Sequence, residues 1–279
     1  MMLNEKKKKC YFYSLMAGVL IVTLIIIISV TLTSKKSPIN NPVVPARLPD
    51  VFPNTILNLT NWELQLPVQG GDSILMIEPD QFNNYSSQYF YVGDDFGVIL
   101  WTPSNGATTI GTLDPRTELR EINPDGDWFL PGTHILTGKT RVLALPSQDG
   151  IVIAQLHGEI DSTNPQLCKL IWLIDNTIIA QVKSDLDPNG PEISLNFGHY
   201  ELGEIISYTL TMKDLLLNVT IVATTTQKNI LSQFATFENP FWFNQTFYFK
   251  AGLYLLDHTP SNYISGTIEL YDVNVIHSI

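Results

Sequence analysis

Cysteine is almost missing from this 279-residue chain, which holds only Cys10 and Cys168. Cys10 borders an apolar run and reads as a plain interface residue, with palmitoylation as the alternative. Cys168 stands alone in the body of the chain, which excludes an internal disulfide framework there. A large hydrophobic core must supply the stability instead. Basic residues are scarce as well: residues 51–279 carry 9 Lys+Arg against 25 Asp+Glu, a net charge of −16. That balance argues against nucleic acid as a partner, because phosphate backbones are held by clustered Lys and Arg. Helical periodicity is also lacking. No window of helical length repeats its apolar residues every 3.6 positions, and no internal repeat is present.

One long hydrophobic run does occur, at the N-terminus. Lys6, Lys7, Lys8 and Lys9 precede it, and no charged residue lies between Cys10 and Ser34. Tyr11, Phe12 and Tyr13 open the run as an interfacial aromatic belt would. About 20 apolar residues cross a bilayer core as a helix, and the run has no polar face. A cleaved signal peptide is the competing reading, but Thr-Leu-Thr-Ser-Lys-Lys after Val30 is a poor cleavage site. Residues 1–10 are thus read as a basic cytoplasmic tail and 11–33 as a transmembrane signal anchor. Residues 34–52, with Pro38, Pro42, Pro45 and Pro49, read as a stiff stalk, and 53–279 as the folded domain. Lys35 and Lys36 follow the span, so four lysines before it outweigh two after it. The positive-inside rule then predicts a single-pass type II membrane protein with its domain extracellular or luminal. Four N-glycosylation sequons, at Asn58, Asn84, Asn218 and Asn244, fit that side of the membrane.

The body reads as β throughout. Runs rich in Ile, Val, Thr, Tyr and Phe fall at 97–102, 116–122, 140–145, 152–160, 170–174, 205–212, 216–224, 246–255 and 266–275. Gly, Pro, Asn and Asp break them. So many strands in one domain predict a two-sheet sandwich or jelly roll. Asp94-Asp95 and 185–189 read as solvated turns rather than Ca²⁺ sites.

Three strands carry residues that a plain sandwich does not need. Side chains two apart share a strand face. Arg116, Glu118 and Arg120 therefore align, with Glu118 set to hold the guanidinium groups. An exposed salt-bridged face is the bland alternative. Gln155, His157 and Glu159 align on a second strand, with Val152, Ala154 and Leu156 opposite. Tyr248, Lys250, Gly252 and Tyr254 align on a third, where Gly252 opens a gap for close approach of a ligand. Taken together, Arg, Gln, His, Lys and Tyr are the residue types needed to eliminate across a uronate. Arg116 and Gln155 would neutralise the carboxylate and stabilise the enolate-like intermediate. His157 and Tyr254 are the candidate base and acid. A basic role for Tyr254 needs nearby positive charge, which Arg120 or Lys250 would supply.

These strands resemble the three motifs of the alginate lyases of polysaccharide lyase family 7, Arg-x-Glu-Leu, Gln-(Ile/Val)-His and Tyr-Phe-Lys-x-Gly-x-Tyr-x-Gln. They stand here, in that order, at Arg116–Leu119, Gln155–His157 and Tyr248–Tyr254. The stretch from Asn61 to Pro67 and Leu202-Gly203-Glu204 also resemble the family. The resemblance covers about 58 to 279. It implies a β-jelly roll, concanavalin-like, with a concave sheet forming an open cleft. It implies Arg116, Gln155, His157 and Tyr254 as the catalytic set, with Glu118, Arg120, Tyr248 and Lys250 binding an acidic polysaccharide, and no metal or other cofactor. In the family, Tyr is the general acid, and the base for one uronate epimer; His is the base for the other. Two positions depart from the pattern. Leu256 stands in place of the family's Gln, which removes a polar subsite contact. Leu156 stands where Ile or Val is usual, a position associated with preference between guluronate and mannuronate blocks.

Two other classes compete. Gly158-Glu159-Ile160-Asp161 resembles part of the Glu-x-Asp-x-x-Glu signature of laminarinase-like hydrolases, but the second carboxylate a retaining hydrolase requires falls on Asn164. A non-catalytic carbohydrate-binding surface protein fits the anchor and the acidic charge, yet has no need for both an acid and a base.

Overall fold

The computed structural model describes residues 45–71, 73–123, 126–159, 166–184, 191–223 and 231–278. The tail, the apolar run and the first part of the stalk lie outside the described residues. So do 160–165, which include the hydrolase-like Asp161 and Asn164, and the turn at 185–189. Among the described residues no helix is long and apolar enough to cross a membrane.

Sixteen strands are present among these residues. They are β1 (Trp62–Gly70), β2 (Ser73–Ile77), β3 (Phe90–Val92), β4 (Val98–Pro103), β5 (Arg116–Glu121), β6 (Trp128–Phe129), β7 (Thr133–Ala144) and β8 (Gly150–Glu159). There follow β9 (Gln166–Leu173), β10 (Thr177–Val182), β11 (Ile193–His199), β12 (Ile205–Lys213), β13 (Leu216–Ala223), β14 (Leu231–Thr236), β15 (Thr246–Leu255) and β16 (Ser265–Ser278). Two antiparallel sheets form. The nine-stranded sheet runs β11-β10-β9-β8-β15-β5-β1-β2, with β6 paired to β15. The seven-stranded sheet runs β14-β13-β12-β7-β16-β4-β3. The all-β sandwich expected from sequence is the fold observed, and all nine strands read from the sequence are present.

The two sheets bury their residues differently. In β7, β12 and β13 burial alternates strictly, so Leu136, Val142, Leu210, Met212, Val219 and Ile221 point inward. This is the period-2 signature of a sheet with one wet face. Gly138 breaks the inward row of β7 because a Cβ there would lie 2.2 Å from the Tyr208 ring. In β5, β15 and β1 as far as Pro67 nearly every residue is buried, on both faces. One face of these strands joins Trp62, Trp172, Phe247 and Phe249 in the common core. The other face is packed with polar side chains, and that second layer is the candidate site. At one end the sheets are also tied by polar contacts: His134 Nδ1 lies 2.9 Å from His277 Nδ1. His277 Nε2 meets Glu121, whose Oε2 accepts the Trp128 indole N–H at 3.2 Å.

Two readings from sequence change. The stretch taken as a free stalk is docked from Pro45 onward. Arg47 bridges Gly93, Leu48 N–H donates to Val92 O at 3.0 Å, and Tyr91 hydroxyl donates to Pro45 O at 3.0 Å. Leu48 and Val51 also pack on the core, so apolar burial outweighs the stiffness of the prolines there. Second, the pairing of β8 with β9 slips between Val152 and Ala154. Ile153 and Ala154 both face the core, and Val152 turns to the opposite face from Ala154 and Leu156, beside Ile171, Ile179 and Tyr254. A bulge inserts one residue and so resets the alternation that the simple two-residue period assumes.

Candidate active site

Strand register builds the site. Glu63 on β1 sits opposite Arg120 on β5, Arg120 opposite Lys250 on β15, and Lys250 opposite Gln155 on β8. Gln155 then sits opposite Lys169 on β9, and Lys169 opposite Gln181 on β10. One polar rung thus crosses six strands of the nine-stranded sheet. Its flanking rung pairs Tyr248 with His157 on one side, and Tyr254 pairs with Arg116 on the other. The three motif strands, distant in sequence, are neighbours in the order β8-β15-β5.

Glu118 is the hub of this layer and has no exposed surface. Its Oε1 accepts Gln155 Nε2 at 2.6 Å and its Oε2 accepts Lys250 Nζ at 3.0 Å. Arg116 Nη1 lies 3.6 Å away. Lys250 Nζ also donates to Gln65 Oε1 at 2.8 Å. Burial pushes the Lys250 amine down to about 8, against the attraction of Glu118. Glu118 and Lys250 were expected to touch substrate. Both are buried within the layer, Glu118 against Gln155, Lys250 and Arg116, and Lys250 against Glu118 and Gln65. A carboxylate only accepts hydrogen bonds, so Glu118 fixes which end of the Gln155 amide faces it. Gln155 Oε1 and Arg116 Nε are left buried without a hydrogen-bond partner. Unpaired buried polar atoms are costly and call for an explanation; a ligand's carboxylate and hydroxyl groups would supply one.

His157 is oriented by its own backbone neighbour. Its Nδ1 lies 2.8 Å from Gly158 O. A carbonyl can only accept, so Nδ1 carries the proton and Nε2 keeps the lone pair. The ring stacks on Tyr248 at 5.0 Å, and Arg120 covers Tyr248 at 4.0 Å. Arg120 is held in turn by Asp127 at 3.5 Å and Glu63 at 3.9 Å. Burial, with the charges of Lys250, Arg116 and Arg120, drives the imidazole down to about 3.

Tyr254 lies against a different cation from those expected. The guanidinium of Arg116, not that of Arg120 or the Lys250 amine, sits 4.2 Å over its ring. Burial raises its phenol, partly offset by a hydrogen bond with Thr112 and by Arg116. Gly252 does not open a gap for a ligand. It has φ +139°, and a Cβ there would meet Leu100 Cδ2 at 2.9 Å and Thr117 O at 2.9 Å. Its glycine serves close backbone packing on β5. Beyond Tyr254 the face turns apolar, with Val152, Ile171, Ile179 and Leu256 in one cluster. Leu256 thus continues a hydrophobic patch.

Glu63, Gln65, Lys169, Thr112, Asp114 and His258 were not singled out from sequence. Glu63, Gln65 and Lys169 are found only through register, and Thr112, Asp114 and His258 only through loop packing. Among the described residues no group of His, Cys, Asp and Glu is arranged to hold a metal ion. Three sequon asparagines, Asn58, Asn84 and Asn244, are exposed, and Asn218 is half-buried.

The family model described as alginate lyase matches residues 57–277. Among solved structures, alginate lyase A1-II′, a member of polysaccharide lyase family 7, is 32% identical to this chain. The match covers 82% of this chain and 99% of that one, with a TM-score of 0.72. A variant of that lyase in complex with substrate is 31% identical, covering 82% and 98%, with a TM-score of 0.73. An alginate lyase from Pseudomonas aeruginosa is 28% identical, covering 79% and 99%, with a TM-score of 0.68. A search of curated proteins finds no match.

Proposed function

The chain belongs to the alginate lyase family and is a polysaccharide lyase, and from that premise we propose that it cleaves alginate by β-elimination with Arg116, Gln155, His157 and Tyr254. The observation that carries the reading is the pair of buried, unpartnered atoms Arg116 Nε and Gln155 Oε1 beside His157 and Tyr254. A uronate carboxylate neutralised against Arg116 no longer repels the negative charge that develops at C5 as its proton leaves. The donor groups then stabilise the enolate-like intermediate more than the ground state. His157 Nε2 takes the C5 proton. Tyr254 gives its hydroxyl proton to the O4 leaving oxygen, and the phenolate that forms is held under Arg116. The double bond forms between C4 and C5 as the glycosidic C4–O4 bond breaks.

A base held at about 3 is weak in the empty site. Incoming carboxylates offset the field of Arg116, Arg120 and Lys250, so His157 gains basicity when substrate binds. The acids balance the cations locally: Glu118 faces Arg116 and Lys250, Asp127 and Glu63 face Arg120, and Glu192 faces Lys169. Recognition therefore rests on directed hydrogen bonds rather than on a basic groove. The same proposal includes residues 11–33 as a signal anchor, with a glycosylated domain outside the membrane or in a lumen.

Ultraviolet absorbance of the unsaturated uronate product tests the reading. Alginate, polymannuronate and polyguluronate are mixed with wild-type protein and with Tyr254→Phe. Product from the wild type, and a loss of about 10²- to 10⁴-fold in the variant with binding retained, supports it. Retained binding with no product from any polymer favours a carbohydrate-binding role instead.

A further inference from the structure

The hydroxyl of Tyr254 is not alone at the end of the site. Thr112 Oγ1 lies 3.0 Å from it, and Asp114 Oδ2 accepts from it at 3.5 Å. Thr112 Oγ1 is itself fixed by the Asp114 backbone N–H at 3.1 Å. The other carboxylate oxygen, Asp114 Oδ1, is 2.9 Å from His258 Nδ1. His258 lies just beyond β15 and its side chain is 55% exposed. A continuous line of proton-carrying atoms thus runs from the buried phenol, through one carboxylate, to an imidazole in solvent. A surface histidine–carboxylate contact has no reason to reach a buried tyrosine hydroxyl, and this one does.

Other groups around the phenol cannot take this role. Arg116 and Glu118 from β5 face Tyr254 but end in the closed network with Lys250. Val152, Ile171, Ile179 and Leu256, from β8, β9, β10 and the end of β15, are apolar. Asp114 is the carboxylate on the line that leads out.

We propose that Asp114 and His258 form a relay that returns a proton to Tyr254 after each elimination, with Thr112 holding the phenol in line. The proposal rests on Tyr254 being the general acid. After one turnover His157 holds the former C5 proton and Tyr254 is a phenolate. The His258 imidazolium passes its Nδ1 proton to Asp114 Oδ1, and Asp114 gives a proton from Oδ2 to the phenolate. His258 is recharged by water, and His157 releases its proton to water, so the cycle closes with no net change. Asp114 and His258 are positioning residues in this scheme, since neither touches the substrate.

The experiment compares wild-type protein, His258→Ala and Asp114→Asn on alginate. The relay predicts a loss of about tenfold in kcat for each variant, with KM changed by less than about twofold. Added imidazole restores kcat in His258→Ala in a concentration-dependent way and does nothing for Asp114→Asn. Unchanged kcat in both variants, a change confined to KM, or a loss in His258→Ala that imidazole does not restore would overturn the relay. A second readout does not depend on turnover. The ring carbon bearing the Tyr254 hydroxyl is followed by NMR in tyrosine-labelled protein and assigned by its absence in Tyr254→Phe. It should report the ionisation of His258 in wild-type protein and lose that step in Asp114→Asn. An inactive wild type that still shows the step refutes the lyase mechanism and leaves the coupling standing. Absence of the step refutes the coupling itself.

Discussion

Acid should weaken this protein through His157, and the size of the effect follows from its surroundings. Burial comes first, then Lys250, Arg116 and Arg120, and together they lower the imidazole from 6.5 to about 3. Between those values the unfolded chain binds a proton at this residue and the folded protein does not. The unfolded state therefore gains stability as pH falls, beginning near 6.5 and ending near 3. One pH unit in that window is worth about 1.4 kcal/mol. Going from pH 6.5 to pH 5 thus costs about 2 kcal/mol, with a ceiling near 5 kcal/mol if the full shift is expressed. Urea unfolding of wild type and His157→Gln at pH 7 and pH 5 isolates the term, because shared carboxylates cancel in the difference. The wild type should lose about 2 kcal/mol more than the variant. Equal losses, or a larger loss in the variant, would show that the imidazole is not held neutral by its burial and its cationic neighbours.

Other perturbations test separate parts of the layer. Glu118→Gln strands Lys250 and Arg116 without their carboxylate and should cost about 3–5 kcal/mol in urea unfolding; adding Lys250→Met should recover part of that loss. Gly252→Ala forces a Cβ against Leu100 and Thr117 O at φ +139°, and thermal unfolding should report a loss of at least about 2 kcal/mol. Initial rates on alginate should rise from about 10 mM to about 150 mM salt, as the Debye length falls from about 30 Å to about 8 Å and screens the acidic surface. A monotonic fall over that range would mean that long-range attraction, not local pairing, brings the polymer in.

Much of the fold was legible because the strands follow simple periods. β12 and β13 alternate apolar and polar residues, and their limits were read to within one residue. β11 was missed because it is an edge strand with mostly exposed residues, so it carries no apolar alternation. β10 was missed because Thr-Ile-Ile-Ala-Gln-Val is buried on both faces and so shows no apolar–polar alternation. The motif residues were legible from residue type, and register brings them onto three adjacent strands. The partners of Tyr254 were not. Thr112 and Asp114 lie in a loop, and His258 follows a strand end, where sequence spacing says nothing about distance. The reading that Arg120 or Lys250 tunes Tyr254 failed because residue type alone does not say which cation is opposite, whereas antiparallel register sets Tyr254 against Arg116 and Arg120 against Lys250.

The slip between Val152 and Ala154 limits how this sequence can vary over generations. Ile153 and Ala154 both face the core, so the slip absorbs the extra residue and leaves Val152, Gln155 and His157 on one face. Substitutions along β8 can change size or charge while leaving that phase intact. Loss of a single codon keeps that phase only at the slip itself, where removing Ile153 leaves Val152 outward and Ala154 inward in plain alternation; loss of Leu156 instead would turn His157 inward, away from the ring of Tyr248. Lineages descending from this chain should therefore show exchanges of residue type along β8, with changes of length confined to the slip at Ile153 and Ala154 and to the turns at its ends.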